Sequence, residues 1–513
     1  MRKNVSSILL LNGVAIVSKN KNNNLPTAKD WEFIIALQSD PQATFSKLSK
    51  MLKQSVQTVS SRYDHFWNMT YPGSYVDPPI VLGMKESPDG RGLIGQNEYA
   101  MGVVSPILNT EILGLQFIDV LLKVPSFKAL NIVKEVFDWY PYTNYYGEAY
   151  GPFNGMHLQF RVPPPYEENL NPLLTMLKEK NLITDFTVFV SKSTDTLFTL
   201  PDLEYWDRKN DTWKFNWKLW VEIFEKAKPS NITSRKTKIS NRKREKQDFD
   251  DLDIKILSIL RNDVRKKNID IVKFLAARDE ELINTLKDSF PNHLIKGNSV
   301  EPSVIDYVHK MVLKENTNLD ELSRKKEEQF IEKATLFWNA VENRYPPQRI
   351  SERVSRLKKD VILGSRVRVR YDLMDIYHTV LYRVKCNDKC KVWFEDLIAS
   401  DIKASEVQKV STSYSNILNL NFHLPFDSIF KKTKEGFLWV LRCPPSHFNA
   451  ATKLLWKKNV SFEVIIVDYK SSQPFMLEYN AFIHQNDQFD WNTNRSYLFD
   501  KCYEIVQNQE QIE

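Results

Sequence analysis

Ile350-Ser351-Glu352-Arg353-Val354-Ser355-Arg356-Leu357 echoes Val59-Ser60-Ser61-Arg62-Tyr63-Asp64-His65-Phe66. Two further echoes follow in the same order. Arg161-Val162-Pro163-Pro164 returns as Arg442-Cys443-Pro444-Pro445. Leu203-Glu204-Tyr205, Asn210-Asp211 and Phe215-Asn216-Trp217 return as Leu477-Glu478-Tyr479, Asn486-Asp487 and Phe489-Asp490-Trp491. Three ordered echoes predict an internal duplication, and a doubled unit implies an intrachain pseudo-dimer.

Around the first echo, residues 27–68 predict three short helices. Trp31, Ile34, Ile35 and Leu37 share one face behind Thr27 as N-cap, and Asp40-Pro41 stops the run. Phe45, Leu48 and Leu52 give a second helix. Ser55 caps a third, with Val56, Val59 and Tyr63 facing inward. This is the helix-turn-helix plan. Beyond it the pattern predicts a strand at 114–124, a helix at 126–139, strands at 143–151 and 155–162, a helix at 166–181 and a strand at 182–190. The order βαββαβ is the ferredoxin-like arrangement.

The second copy predicts the same plan. Asp253, Ile254, Ile256, Leu257, Ile259 and Leu260 mark its first helix, and Ile269, Val272 and Leu275 its second. Strands are expected at 377–385, 414–424, 436–443 and 460–469, with helices at 389–399 and 446–458. The fold class is therefore α+β, a tandem repeat of winged helix-turn-helix and ferredoxin-like domains. The expected boundaries are an N-terminal extension 1–26, a first winged helix-turn-helix 27–108, a first ferredoxin-like domain 109–192 and an aromatic tail 193–227. A basic linker 228–247 leads to the second winged helix-turn-helix 248–375, the second ferredoxin-like domain 376–470 and a second tail 471–513. The tails must dock, because exposing so many Trp and Tyr side chains is costly. Residues 276–345 are read as a helical insertion. The other reading completes one helix-turn-helix at 278–286 and builds another over 301–370; the echo at 350–357 favours the insertion.

At 513 residues with 42% hydrophobic content, the chain can build several cores, which excludes a disordered protein. Only 14 glycines, no G-x-G-x-x-G and no Walker-type string weaken the nucleotide-enzyme classes. The net charge is +7, and residues 228–247 carry eight Lys/Arg against Glu245, so that segment holds the whole excess. Such a run is a solvated linker or an arm for a polyanion. Four cysteines do not make a disulfide framework, and a reducing cytoplasm is expected. The apolar run near the N-terminus is broken by Asn12-Gly13 and reads as a short strand or a frayed start, not a leader. No run approaches the roughly 18 apolar residues of a membrane span.

Base reading is expected from the third helices, through Gln57, Thr58 and Ser61 in one copy and Gln348, Arg349 and Glu352 in the other. Arg62, Arg353, Arg356, Lys358 and Lys359 are the expected phosphate contacts nearby, with buttressing of the fold equally open for the matching pair Arg62 and Arg353. In Gly364-Ser365-Arg366-Val367-Arg368-Val369-Arg370, period-2 alternation puts Arg366, Arg368 and Arg370 on one face of a strand. Following the third helix, that row is read as a basic wing gripping phosphates. A weaker candidate is a zinc set of Cys386, Cys390, Cys443 and His447; the alternative is that Cys386 and Cys443 are buried small hydrophobes.

A helix-turn-helix followed by βαββαβ resembles the Lrp/AsnC family of prokaryotic, archaeal-type regulators. The string 250–260 (Asp-Asp-Leu-Asp-Ile-Lys-Ile-Leu-Ser-Ile-Leu) resembles its opening helix, and 350–364 its recognition helix and wing. The resemblance implies a transcriptional regulator that binds double-stranded DNA, with dimer contacts through βαββαβ and a small effector such as an amino acid. The expected protein is cytoplasmic, non-enzymatic, free of cofactors and an intrachain pseudo-dimer that could also pair as a homodimer. The same fold pair also resembles siroheme decarboxylases. There, His157 with Tyr145, Tyr146 and Arg161 would hold tetrapyrrole carboxylates and manage protons, and the other copy has Trp439 and Leu441 near the place of His157. A protein-interaction scaffold is the third class.

Overall fold

A computed structural model describes residues 27–69, 84–86, 92–94, 104–191, 196–199, 203–207, 210, 212–218, 249–289, 302–313, 321–367, 369, 374, 376, 378–392, 426–457, 460–468, 471–475, 477, 479–485 and 488–510. Thr27 caps α1 (Ala28–Ser39): its hydroxyl accepts from the Asp30 amide while the Asp30 carboxylate accepts from the Thr27 amide. Two otherwise orphaned donors are satisfied together. α2 (Phe45–Leu52) and α3 (Val56–Met69) follow, and Phe33, Ile34, Leu37, Leu48 and Val59 close the core of the trio. Val56, expected inward, is exposed.

β1 (Met84–Glu86) and β2 (Gly92–Ile94) make an antiparallel ribbon. Next come β3 (Val104–Leu108), β4 (Gln116–Lys123), α4 (Phe127–Trp139), β5 (Thr143–Tyr150) and β6 (Gly155–Val162). Two short helices, α5 (Tyr166–Asn169) and α6 (Asn171–Glu179), lead to β7 (Asp185–Ser191), β8 (Thr196–Thr199) and the ribbon of β9 (Trp206–Asp207) with β10 (Thr212–Trp213).

The second half opens with α7 (Asp251–Asn262), capped by an Asp250/Asp253 box of the same design, and α8 (Asn268–Ala276). After α9 (Glu280–Ser289), α10 (Pro302–Val312) and α11 (Glu321–Arg344) comes α12 (Pro347–Asp360). α12 packs against α7 and α8, whereas α9 and α10 pack on α11. β11 (Ile362–Val367), β12 (His378–Lys385), β13 (Asp427–Lys432), β14 (Gly436–Arg442), α13 (Pro445–Lys457), β15 (Ser461–Asp468) and β16 (Gln473–Pro474) follow. β17 (Phe482–Gln485), β18 (Gln488–Trp491) and α14 (Arg495–Glu510) end the chain's described part. The strand expected at 414–424 lies outside the described residues, and the strand beside β14 is β13.

The architecture is α+β, organised on one curled antiparallel sheet of order β7-β4-β6-β5-β15-β12-β14-β13-β8, with β16 also paired to β5. The first four strands and the next four follow one order: fourth, first, third, second. The extensions cross over. β8 pairs with β13 of the second half, and β16 pairs with β5 of the first.

Alternation along each strand divides the burial into two cores. Ile118, Val120 and Leu122 join the helix-covered core with Val133, Val136 and Phe137 of α4. Leu121 and Ala149 instead meet Leu381, Ile429, Leu438 and Val467 in a second core shared by the two halves. The aromatic tails exchange in the same reciprocal way. Trp213 donates its indole N–H to the Met374 carbonyl at 2.8 Å, and Trp491 donates to the Leu113 carbonyl at 2.6 Å. Each tail thus docks on the opposite half, and the buried indole N–H groups find acceptors there.

Candidate functional site

The two third helices are anchored alike. Arg62 on α3 pairs with Asp30 at 2.5 Å, and Arg353 on α12 pairs with Asp250 at 2.5 Å and Asp253 at 2.8 Å. Arg356 adds a 2.5 Å contact to Asp253. Asp30 and Asp253 are the third residues of their capping boxes and are almost fully buried. A buried carboxylate needs a cation, so these arginines hold each third helix across the start of its first helix. Asp250 is held below the ordinary carboxylate range: burial works the other way, but hydrogen bonds from Arg353 and the Asp253 amide prevail.

That clip turns the opposite faces outward. Gln57, Thr58 and Ser61 are exposed on α3, and Gln348, Arg349 and Glu352 are exposed on α12. Gln348 Nε2 donates to Glu352 Oε1 at 3.0 Å, and Thr58 shares a 2.7 Å hydroxyl contact with Ser55. Lys359 is exposed. Lys358 is half-buried, and burial pulls its ammonium below the usual lysine range.

The stretch expected as a free wing is placed differently. β11 pairs antiparallel with β3 of the first half, Arg366 opposite Ser105 and Val367 opposite Val104. Ser365 is buried and accepts from Gln42 Nε2 at 3.3 Å. Arg366 is half-buried, and its charge bears on Arg161. Arg368 and Arg370 lie outside the described residues. Local alternation could not reveal a partner strand some 250 residues away; Arg366, the first of the row, lies on a paired strand joining the halves.

His157 sits in the shared core. Its Nε2 lies 3.0 Å from Asp119 Oδ1, which also accepts from Gln159 Nε2 at 3.0 Å. Lys431, on β13 of the other half, reaches Asp119 Oδ2 at 2.6 Å and lies over the Phe117 ring at 4.2 Å. Asp119, His157 and Lys431 are each about 98% or more buried. Burial alone would raise the Asp119 carboxyl; the Lys431 charge and the His157 hydrogen bond overcome it and hold it at about 2. Of the residues suggested to hold carboxylates, Tyr145 meets His157 edge-on at 5.8 Å and contacts Ser472 Oγ at 2.8 Å, while Tyr146 bonds Asp138 at 2.7 Å. Register from the matching strand-start glycines, Gly155 opposite Lys123 and Gly436 opposite Lys385, puts Leu438 in the place of His157. The place is therefore filled by neither Trp439 nor Leu441. It likewise puts Lys431 in the place of Gly147.

The candidate zinc ligands are not brought together. His447 Nδ1 accepts from Trp217 Nε1 at 2.9 Å, and its Nε2 faces the Trp213 carbonyl at 3.3 Å, so both ring nitrogens are engaged. Burial pushes the Cys443 thiol up to about 12, while Cys386 has Cys390 as its neighbour. Among the described residues no three His, Cys, Asp or Glu side chains gather as a metal site. No described helix is long and apolar enough to cross a membrane.

Asp119 and Lys431 escaped sequence reading because a buried ion pair between distant strands leaves no local period. Asp30 and Asp253 carried a signal, since each stands three residues after a capping residue.

No family model matches the chain. No curated protein matches it. Among solved structures, it is similar to the siroheme decarboxylase NirDL, at 10% identity and a TM-score of 0.40, over 94% of this chain and 99% of that one. The same enzyme in complex with an iron-uroporphyrin III analogue gives 9% identity and a TM-score of 0.40 over the same shares. The structure of PH0061 gives 14% identity and a TM-score of 0.22, covering 32% of this chain and 90% of that one. Likeness at this level concerns chain outline alone. It does correct one expectation: these neighbours include enzymes, so the exclusion of enzymatic activity is withdrawn.

Proposed function

We propose that the protein binds duplex DNA through the exposed faces of α3 and α12, as a regulator of the Lrp/AsnC type built from two copies of a helix-turn-helix and a ferredoxin-like unit. The observation that carries the reading is the matched pair of clips, Arg62 to Asp30 and Arg353 to Asp253. Each fixes a third helix rigidly and leaves a polar row facing solvent, which is what base reading in a major groove requires. The reciprocal exchange of β8 and β16, and of the two tails, supports an intrachain pseudo-dimer.

In this reading Gln57, Thr58, Ser61, Gln348, Arg349 and Glu352 meet base edges. Lys359 contacts phosphates from α12, joined by Arg368, Arg370 and the basic segment 228–247. Arg62, Arg353 and Arg356 act mainly by orienting their helices; Arg356, whose side chain is 45% exposed, can also reach a phosphate. Arg366 belongs to the β11 pairing. A small effector is compatible with the shared sheet. Genome-wide occupancy of the tagged protein tests the reading. Discrete sites containing a common motif are expected; occupancy indistinguishable from an untagged control, with a stable protein partner instead, would replace it with the scaffold reading.

A further inference from the structure

Arg161 is a half-buried cation in an unusual setting. Its Nε and Nη1 are shielded from solvent and have no hydrogen-bond acceptor. The charge acting on it is that of Arg366, a second cation, and burial together with that repulsion pulls the guanidinium down to about 10. Shielding guanidinium N–H groups from water without an acceptor is expensive, and a like charge beside them adds to the expense. Such a group calls for an anion.

A cleft stands where one would fit. It is lined by Thr143, Asn144 and Arg161 at the ends of β5 and β6, by Arg261 at the end of α7, and by Leu477. No acidic residue is in the lining. The Thr143 hydroxyl, 2% exposed, also has no partner. Arg261 Nη2 donates to Asn144 Oδ1 at 2.8 Å, which fixes its guanidinium at the rim. The cleft opens to solvent, with an empty volume of about 190 Å³ that includes its mouth. A carboxylate entering from the open side offers two acceptor oxygens to these donors.

We propose that this cleft binds the carboxylate of a small organic acid, with Arg161 and Thr143 as donors and Arg261 at the rim. The bound carboxylate bridges β5 and β6 of the first half to α7 of the second. The proposal is independent of the DNA reading, since it concerns the protein without nucleic acid.

The test is thermal unfolding of the full chain in sodium formate, sodium acetate and inorganic phosphate, each against sodium chloride at equal ionic strength. Formate and acetate are expected to raise the melting temperature saturably above chloride. Arg161→Gln should weaken that response at least about tenfold, the scale of a charged hydrogen bond, while leaving the protein folded in chloride because an unpaired cation is removed. Thr143→Val, a close isostere, should weaken it severalfold and serves if Arg161→Gln does not fold. Equal stabilisation by chloride, or a carboxylate response unchanged in both variants, overturns the site. Tighter binding of phosphate overturns the carboxylate assignment.

Discussion

Lys431 Nζ lies 2.6 Å from Asp119 Oδ2, and this contact joins the two halves inside their shared core. The equivalent sheet positions in the opposite half are Gly147 for Lys431 and Leu381 for Asp119, counted from the paired strand starts. The two halves are therefore alike in strand order and complementary in charge. Breaking the pair from one side strands a charge with almost no access to water. Lys431→Met or Asp119→Leu should each cost about 3–5 kcal/mol. The double variant Asp119→Leu with Lys431→Met should recover part of the loss, because neither charge is then stranded, although His157 and Gln159 lose their shared acceptor. Urea unfolding of the three proteins measures the coupling; additive losses would show that the two groups act separately.

The same pair sets an acid limit. Asp119 is held at about 2 in the folded protein, below an ordinary aspartate. A depressed carboxyl stabilises the fold above its unfolded value near 4, and that contribution, about 2 kcal/mol, disappears as pH falls from about 4 through about 2. Melting temperatures between pH 6 and pH 2 should fall more steeply for the native chain than for the double variant. Parallel curves would remove Asp119 from the acid response.

Orientation and contact separate on the third helices. Arg353→Ala leaves buried Asp253 with only part of its cationic shell, and should cost about 2–3 kcal/mol of stability. Arg349→Ala, exposed and away from the clip, should change stability by less than about 0.5 kcal/mol while weakening duplex binding by about 1–3 kcal/mol. Denaturation and fluorescence anisotropy on the same preparations distinguish the two effects. Loss of stability in Arg349→Ala would contradict its placement.

Gly155 and Gly436 open equivalent strands where no side chain fits. A Cβ on Gly155 would stand 1.8 Å from the Leu122 carbonyl oxygen, and one on Gly436 would stand 1.8 Å from that of Val384. Backbone must move in either case, so Gly155→Ala and Gly436→Ala should each destabilise by at least about 1–3 kcal/mol. Unfolding midpoints check this, and a neutral result at either site would contradict the close strand approach.

Much of this architecture could be read from periodicity. The runs led by Trp31, Phe45 and Val59 gave the first trio, and the strands and helices of the first βαββαβ set fell close to their expected positions. Reading failed where burial and polarity part company. β13 carries Asp427 and Lys431 buried, so it lacks an apolar period, and the more apolar stretch at 414–424 took its place in the sequence reading. Arg366 shows the opposite case. The alternation around it is that of a strand, but a strand's partner is set by the whole fold, and for 362–367 it is β3. The Arg161 cleft left little signal beyond the repeated Arg-x-Pro-Pro string and the grouping of Arg161 with His157, Tyr145 and Tyr146 that the decarboxylase resemblance implied.

Duplex affinity as a function of salt tests the central reading most directly. Anisotropy of a labelled duplex, titrated with the full chain from 50 to 200 mM salt, should give a log–log slope steeper than about −3, as several phosphate contacts require. Lys359→Ala should reduce the slope by about one, whereas Arg349→Ala should weaken binding and relax sequence preference. Binding that ignores salt, or no binding at 50 mM, would contradict the account.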